Sequence, residues 1–106
     1  MSISTQISLW ERVLERGEGS VNLLTRLGDA YRRVGNMAAA EATFRKNLDS
    51  CYDKFSLLGL AKVHAVRGNI DEAVNCYRKL MEREVEEGWY FSGIASQLME
   101  HQRQSD

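Results

Sequence analysis

Few side chains in this sequence are suited to chemistry: His64, His101, Cys51, Cys76 and the glutamates Glu82, Glu84, Glu86 and Glu87. Thiolates and imidazoles together could hold zinc, but that needs a C-x-x-C or similarly short spacing, and neither cysteine has one. The glutamates could be an acid pair or a calcium loop. They lack the alternating Asp/Asn ligands and the turn glycine of an EF-hand, and they suit the positive end of a helix dipole. Gly28, Gly35 and Gly68 form no phosphate loop, because no G-x-x-x-x-G-K-[ST] follows a strand. His64 lies on an apolar stripe, which points to a packed ring rather than a general base, and His101 falls in a polar tail. No nucleophile, base and acid assemble, so the expectation is a non-enzyme with no metal and no cofactor. The cysteines are expected as reduced thiols of a cytosolic protein, with a disulfide or a reactive thiol as the alternative.

The elements that carry these residues are expected to be helices. Proline is absent, and Val, Ile and Thr are scattered rather than set in alternating runs. A chain of 106 residues makes one small domain. Lys and Arg number 14 against 15 Asp and Glu, so the formal charge of -1 provides no long-range pull on a polyanion and argues against a nucleic-acid partner. No apolar run approaches the roughly 20 residues of a membrane span. The opening MSISTQISLW lacks the charged and apolar regions of a signal peptide. A cytoplasmic location is expected.

Self-comparison reveals a repeat. GNMAAAEATFRKNL at 35–48 returns as GNIDEAVNCYRKLM at 68–81, pairing Gly35 with Gly68, Ala40 with Ala73 and Phe44 with Tyr77. Upstream, Leu24, Leu27 and Gly28 pair with Leu57, Leu60 and Ala61. Apolar residues three and four apart place Leu24, Leu27 and Tyr31 on one helical stripe, and likewise Leu57, Leu60 and His64. The Gly-Asn step ends one helix through a left-handed glycine and caps the next through the asparagine. Asn69 with Glu72 three places on has the form of a capping box. Each unit is therefore a helix hairpin. Small residues at Gly28, Ala40, Ala61 and Ala73 let the paired helices approach, and Phe44 and Tyr77 fill the gap between one hairpin and the next.

With these landmarks the sequence resembles the tetratricopeptide repeat family, whose pattern runs W-x2-L-G-x2-Y, then A-x3-F, then P. One unit reads Leu24-x2-Leu27-Gly28-x2-Tyr31 and Ala40-x3-Phe44; the next reads Leu57-x2-Leu60-Ala61-x2-His64 and Ala73-x3-Tyr77. A third half-unit reads Trp89-x2-Ser92-Gly93-x2-Ser96. No proline closes either unit, and His64 replaces the family's Tyr. The resemblance implies an all-α fold, a right-handed superhelical stack of antiparallel hairpins. Two repeats need covers, so about six helices are expected in one domain. They comprise a flanking helix at 4–16 with Trp10 standing in for Phe44, repeats at 21–49 and 54–84, and a capping helix or half-repeat at 86–103. Gly17 or Gly19 should stop the first helix and Ser20 cap the second.

The resemblance further implies a concave channel lined by the first helix of each repeat, and a protein or peptide as its occupant. From the first repeat the channel takes Asn22, Thr25, Arg26, Asp29 and Arg33. The second repeat adds Phe55, Leu58 and Lys62, and the last helix Tyr90, Phe91 and Ile94. One end is basic and the other apolar, which fits a partner segment with apolar anchors and acidic residues. The alternatives are a second copy, as in a homodimer, the chain's own last helix in the channel, or a piece of a larger array. Some family members hold chaperone tails in a carboxylate clamp of Lys, Asn and Arg. Thr25, Asp29, Leu58, Gly59 and Lys62 do not match that set.

Overall fold

A computed structural model of the chain describes residues 2–19 and 21–105. Among the described residues six α-helices follow one another: α1 Ile3–Glu15, α2 Val21–Arg33, α3 Met37–Ser50, α4 Lys54–Val66, α5 Ile70–Arg83 and α6 Gly88–Ser105. A single 3-10 turn, Val85–Glu87, precedes α6. There is no strand among the described residues. The all-helical expectation holds, although Glu86 and Glu87 lie in the 3-10 turn rather than in α6.

Three glycines turn the corners. Gly17, Gly35 and Gly68 have φ of 74°, 86° and 80°, the left-handed region that closes a helix at low cost for glycine. At Gly35 the glycine N–H donates to Arg32 O, and the Asn36 N–H reaches back to Tyr31 O at 2.9 Å. The Gly68 corner repeats this with Ala65 O and with His64 O at 2.8 Å. Gly17, not Gly19, stops α1. The cap expected from Ser20 lies outside the described residues. Asn36 caps α3 by accepting from the Ala39 N–H at 3.2 Å, whereas Asn69 makes no side-chain cap bond. The capping box expected there does not form. Glu72 instead places Oε2 3.1 Å from His64 Nδ1, across the hairpin, close enough for an ion pair with a protonated ring though not in good hydrogen-bond geometry.

Within the hairpins α2 packs on α3 and α4 on α5, and α3 packs on α4 to join the two pairs. Ala40, Ala61 and Ala73 are fully buried at the crossings, as the small-residue pattern predicts. Phe44 fills the gap between hairpins, and the Tyr77 ring lies 6.2 Å from Phe91 in a stacked pair. One core runs through α3, α4, α5 and α6. A separate, smaller cluster of Ile7, Leu27 and Ala30, with Trp10, Leu14 and Tyr31 around it, fastens α1 to α2.

The last helix is where the sequence pattern misplaces its buried face. Its stripe is Phe91, Ile94, Ala95 and Leu98, with Phe91 and Ala95 fully in the core, while Trp89, Gly93 and Ser96 are exposed. The Trp and Gly that match the repeat pattern by type are two residues out of step with burial. Phe91-x2-Ile94-Ala95-x2-Leu98 has the same spacing of apolar and small residues, and it is the set that packs.

Candidate functional site

A cleft opens between α2 and α4, of about 280 Å³, lined by Thr25, Arg26, Asp29, Phe44, Phe55, Leu58, Gly59 and Lys62. Its floor is the Phe44 ring, which reaches from α3 between the two helices. A Cβ built on Gly28 would lie 2.5 Å from Phe44 Cε1, and one on Gly59 2.4 Å from Cζ. Glycine at both positions is therefore what admits the ring. Six residues expected in the channel, Thr25, Arg26, Asp29, Phe55, Leu58 and Lys62, line this one cleft.

The other five do not. Arg33 lies in a neighbouring hollow with Ile3, Trp10 and Arg26, where α1 meets α2. Asn22 is exposed and lines neither hollow. Tyr90 is half exposed, and Ile94 is half buried against the core. Phe91 is 1% exposed, so it supports the last helix from inside instead of offering a wall to solvent. The reason is the two-residue offset of the α6 stripe.

Charge in the cleft is one-sided. Asp29 is occupied by its own helix, with Arg32 on Oδ1 at 2.8 Å and Arg33 on Oδ2 at 3.0 Å. Arg26 and Lys62 are both exposed, and neither is in an ion pair with any described residue. Two cations thus border an apolar trough of Phe44, Phe55 and Leu58. The repeated basic pairs Arg45-Lys46 and Arg78-Lys79 lie exposed on α3 and α5, and none of them lines the cleft.

Beneath the cleft is a polar knot that the sequence reading missed. Asp53 caps α4, its Oδ2 accepting from the Ser56 N–H at 3.0 Å, Ser56 Oγ at 2.7 Å and Thr25 Oγ1 at 2.7 Å. Fully buried Asn47 donates through Nδ2 to Ser56 Oγ at 2.8 Å and to Thr25 Oγ1 at 3.2 Å. The knot joins α2, α3 and the start of α4. Burial alone would push the Asp53 carboxyl up, but hydrogen bonds from Thr25 and Ser56 and the Phe55 N–H outweigh it, holding it below its ordinary 3.8. A signal was present: a shift of 33 residues sets Asn47 against Leu80, a polar residue where the other repeat has a fully buried leucine.

The remaining candidates have structural surroundings. His64 is buried on the hairpin stripe. Cys76 is a buried free thiol whose pKa burial pushes up, and Cys51 is also free. Tyr52 donates to Glu84 at 2.7 Å under the Arg83 guanidinium, and burial followed by that carboxylate pushes its phenol up to about 12. Among the described residues no group of three or more His, Cys, Asp and Glu could hold a metal ion. No helix among them is long and apolar enough to cross a membrane.

Residues 23–56, which span α2, α3 and the start of α4, match the family model described as Tetratricopeptide repeat. The six-helix stack, each helix packing on its neighbour, is consistent with a divergent array of that family. No curated protein and no solved structure matches the chain. Tetratricopeptide repeats are in general non-catalytic modules for protein-protein interaction.

Proposed function

We propose that the chain is a non-catalytic adaptor or assembly factor that holds a segment of a partner protein in the α2–α4 cleft. The observation that carries this reading is the pair of cations, Arg26 and Lys62, neither in an ion pair with a described residue, bordering a cleft whose apolar walls are exposed Phe55 and half-buried Leu58. Its two cations and its apolar walls together favour a segment with apolar anchors and carboxylates. The whole chain acts as one domain of two repeats between helical flanks. Two free thiols fit a reducing compartment, which favours the cytoplasm.

The test is a pull-down from native extract with peptide mapping, run beside a Leu58→Ser, Lys62→Glu double variant. The partner should be lost from the variant while its helical circular dichroism stays unchanged. Retention of the partner would sink the proposal, and unfolding of the variant would show that these positions belong to the core. A second reading is self-association, favoured by exposed apolar residues at both ends of the stack, Ile3 and Leu9 on α1 and Tyr90 on α6. A solution mass that doubles with concentration, and a partner that never competes, would select it.

A further inference from the structure

The repeat pattern at Trp89-x2-Ser92-Gly93-x2-Ser96 plays no part in the core, which takes Phe91 and Ala95 from the same helix. It belongs to a second face of α6. Residues 89, 92, 96 and 99 lie three and four places apart and so share one stripe, beside the stripe that packs on α5. Trp89 and Met99, 78% and 39% exposed, stand at its two ends. Between them the stripe holds only Ser92 and Ser96, with Gly93 alongside, and a Cβ on Gly93 would touch nothing within 4 Å.

At the other end of the stack is a hollow of about 230 Å³ between α1 and α2, with Ile3, Gln6 and Trp10 as its α1 wall. Matching Trp10 to Phe44 also matches Ile3 to Met37 and Gln6 to Ala40. On α3 these three positions receive α2. Ala40 is fully buried, Met37 packs on the core, and the Phe44 ring lies 2.5 Å from where a Cβ on Gly28 of α2 would stand. On α1 the same face is open, with Ile3 and Gln6 exposed. It offers a place for a first helix, and α6 is a helix of first-helix spacing with a free face.

We infer that α6 of one copy lies in the α1–α2 hollow of the next, so that copies of this chain join head to tail. This rests on the self-association reading given above. The incoming helix runs antiparallel to α1, as α2 does to α3, and its Trp89–Met99 face meets Ile3, Gln6 and Trp10. Gln6 is longer than its counterpart Ala40, and Ser92, Gly93 and Ser96 leave room for it. Charge matches at both ends. Arg12 and Arg16, where α1 finishes, are exposed and in no ion pair with a described residue, and exposed Glu86 before α6 falls beside them. At the far end Glu100, only loosely paired with Arg103 at 3.6 Å, comes near Arg33, the last residue of α2. Opposite charges so placed disfavour the reversed orientation. With α1 and α6 at opposite ends of a stack 45 Å long, two copies cannot close both contacts on each other, and the assembly stays open.

The experiment is sedimentation of the full chain over a range of concentrations, beside two blocked variants. Gly93→Arg fills the α6 face and Gln6→Arg fills the hollow; both positions are exposed, so helical circular dichroism should stay unchanged. The unblocked chain should grow past the mass of a dimer without levelling. Each variant alone should lose that growth and stay a monomer. Mixed, the two should form a one-to-one pair that grows no further, because each keeps one good face. Should either variant lose helical content, Ser96→Arg or Ile3→Arg takes its place. A mass that levels at two copies overturns the head-to-tail contact and leaves self-association standing. Assembly that survives both variants, or monomeric variants that fail to pair on mixing, does the same. A monomer at every concentration overturns both.

Discussion

A methyl group added at Gly59 would lie 2.4 Å from Phe44 Cζ, and the α4 backbone that carries it cannot retreat without opening the core around fully buried Ala61 and Val63. Gly59→Ala should therefore destabilise the fold by about 1–3 kcal/mol through overpacking. Adding Phe44→Leu should recover part of that loss, because the smaller side chain leaves room for the methyl. Urea melts of the two single variants and the double variant check it, and simple additivity would show that ring and glycine do not meet. This contact was not legible in the sequence. Gly59 carries no pattern of its own, and its partner belongs to a different helix, reached only after the hairpins have folded.

At the scale of elements the Asp53 knot fixes α2, α3 and α4 to one another. Its folded-state pKa lies below the ordinary value, so the stabilisation is fully present above that value and is lost as pH falls through the lower, folded-state pKa. Asp53→Asn keeps a capping oxygen and removes the charge, and it should cost about 1 kcal/mol at neutral pH, as a negative charge at a partly buried helix N-terminus contributes. The gap between wild type and variant should close as the solution is acidified. Denaturation curves taken from neutral pH down to about pH 3 measure it; a gap that is constant with pH would refute the charge-based account. The hairpins themselves were legible, because Gly35-Asn36 and Gly68-Asn69 mark the turns and the alanines mark the crossings. For α6 the sequence misled by residue type. Trp89 and Gly93 satisfy the repeat pattern, yet the helix turns Phe91 and Ala95 inward, since the 3-10 turn at Val85–Glu87 resets the phase before the helix begins.

The whole molecule measures 45 × 29 × 22 Å, and its radius of gyration of 14.8 Å exceeds the roughly 13 Å of a compact chain of this length. Elongation follows from stacking, in which each helix packs mainly on its neighbours in sequence, with α2 also meeting α4. Stability is then uneven along the stack. α1 hangs on a cluster separate from the main core, so Trp10→Ala should release it while α4 and α5 stay folded. Hydrogen exchange should show faster exchange in the variant at residues 3–15 and unchanged protection at 57–64. Cooperative loss of protection throughout would mean that the two clusters act as one. The six cleft residues could be named from the sequence because they repeat the outward face of α2 and α4. Those on α6 could not, for the reason of phase. The backbone is left-handed at the three corners Gly17, Gly35 and Gly68. A Cβ at any of them would touch nothing within 4 Å, so it is handedness rather than bulk that these positions reject. A mirror-image alanine would rest there without strain, whereas its natural enantiomer would not.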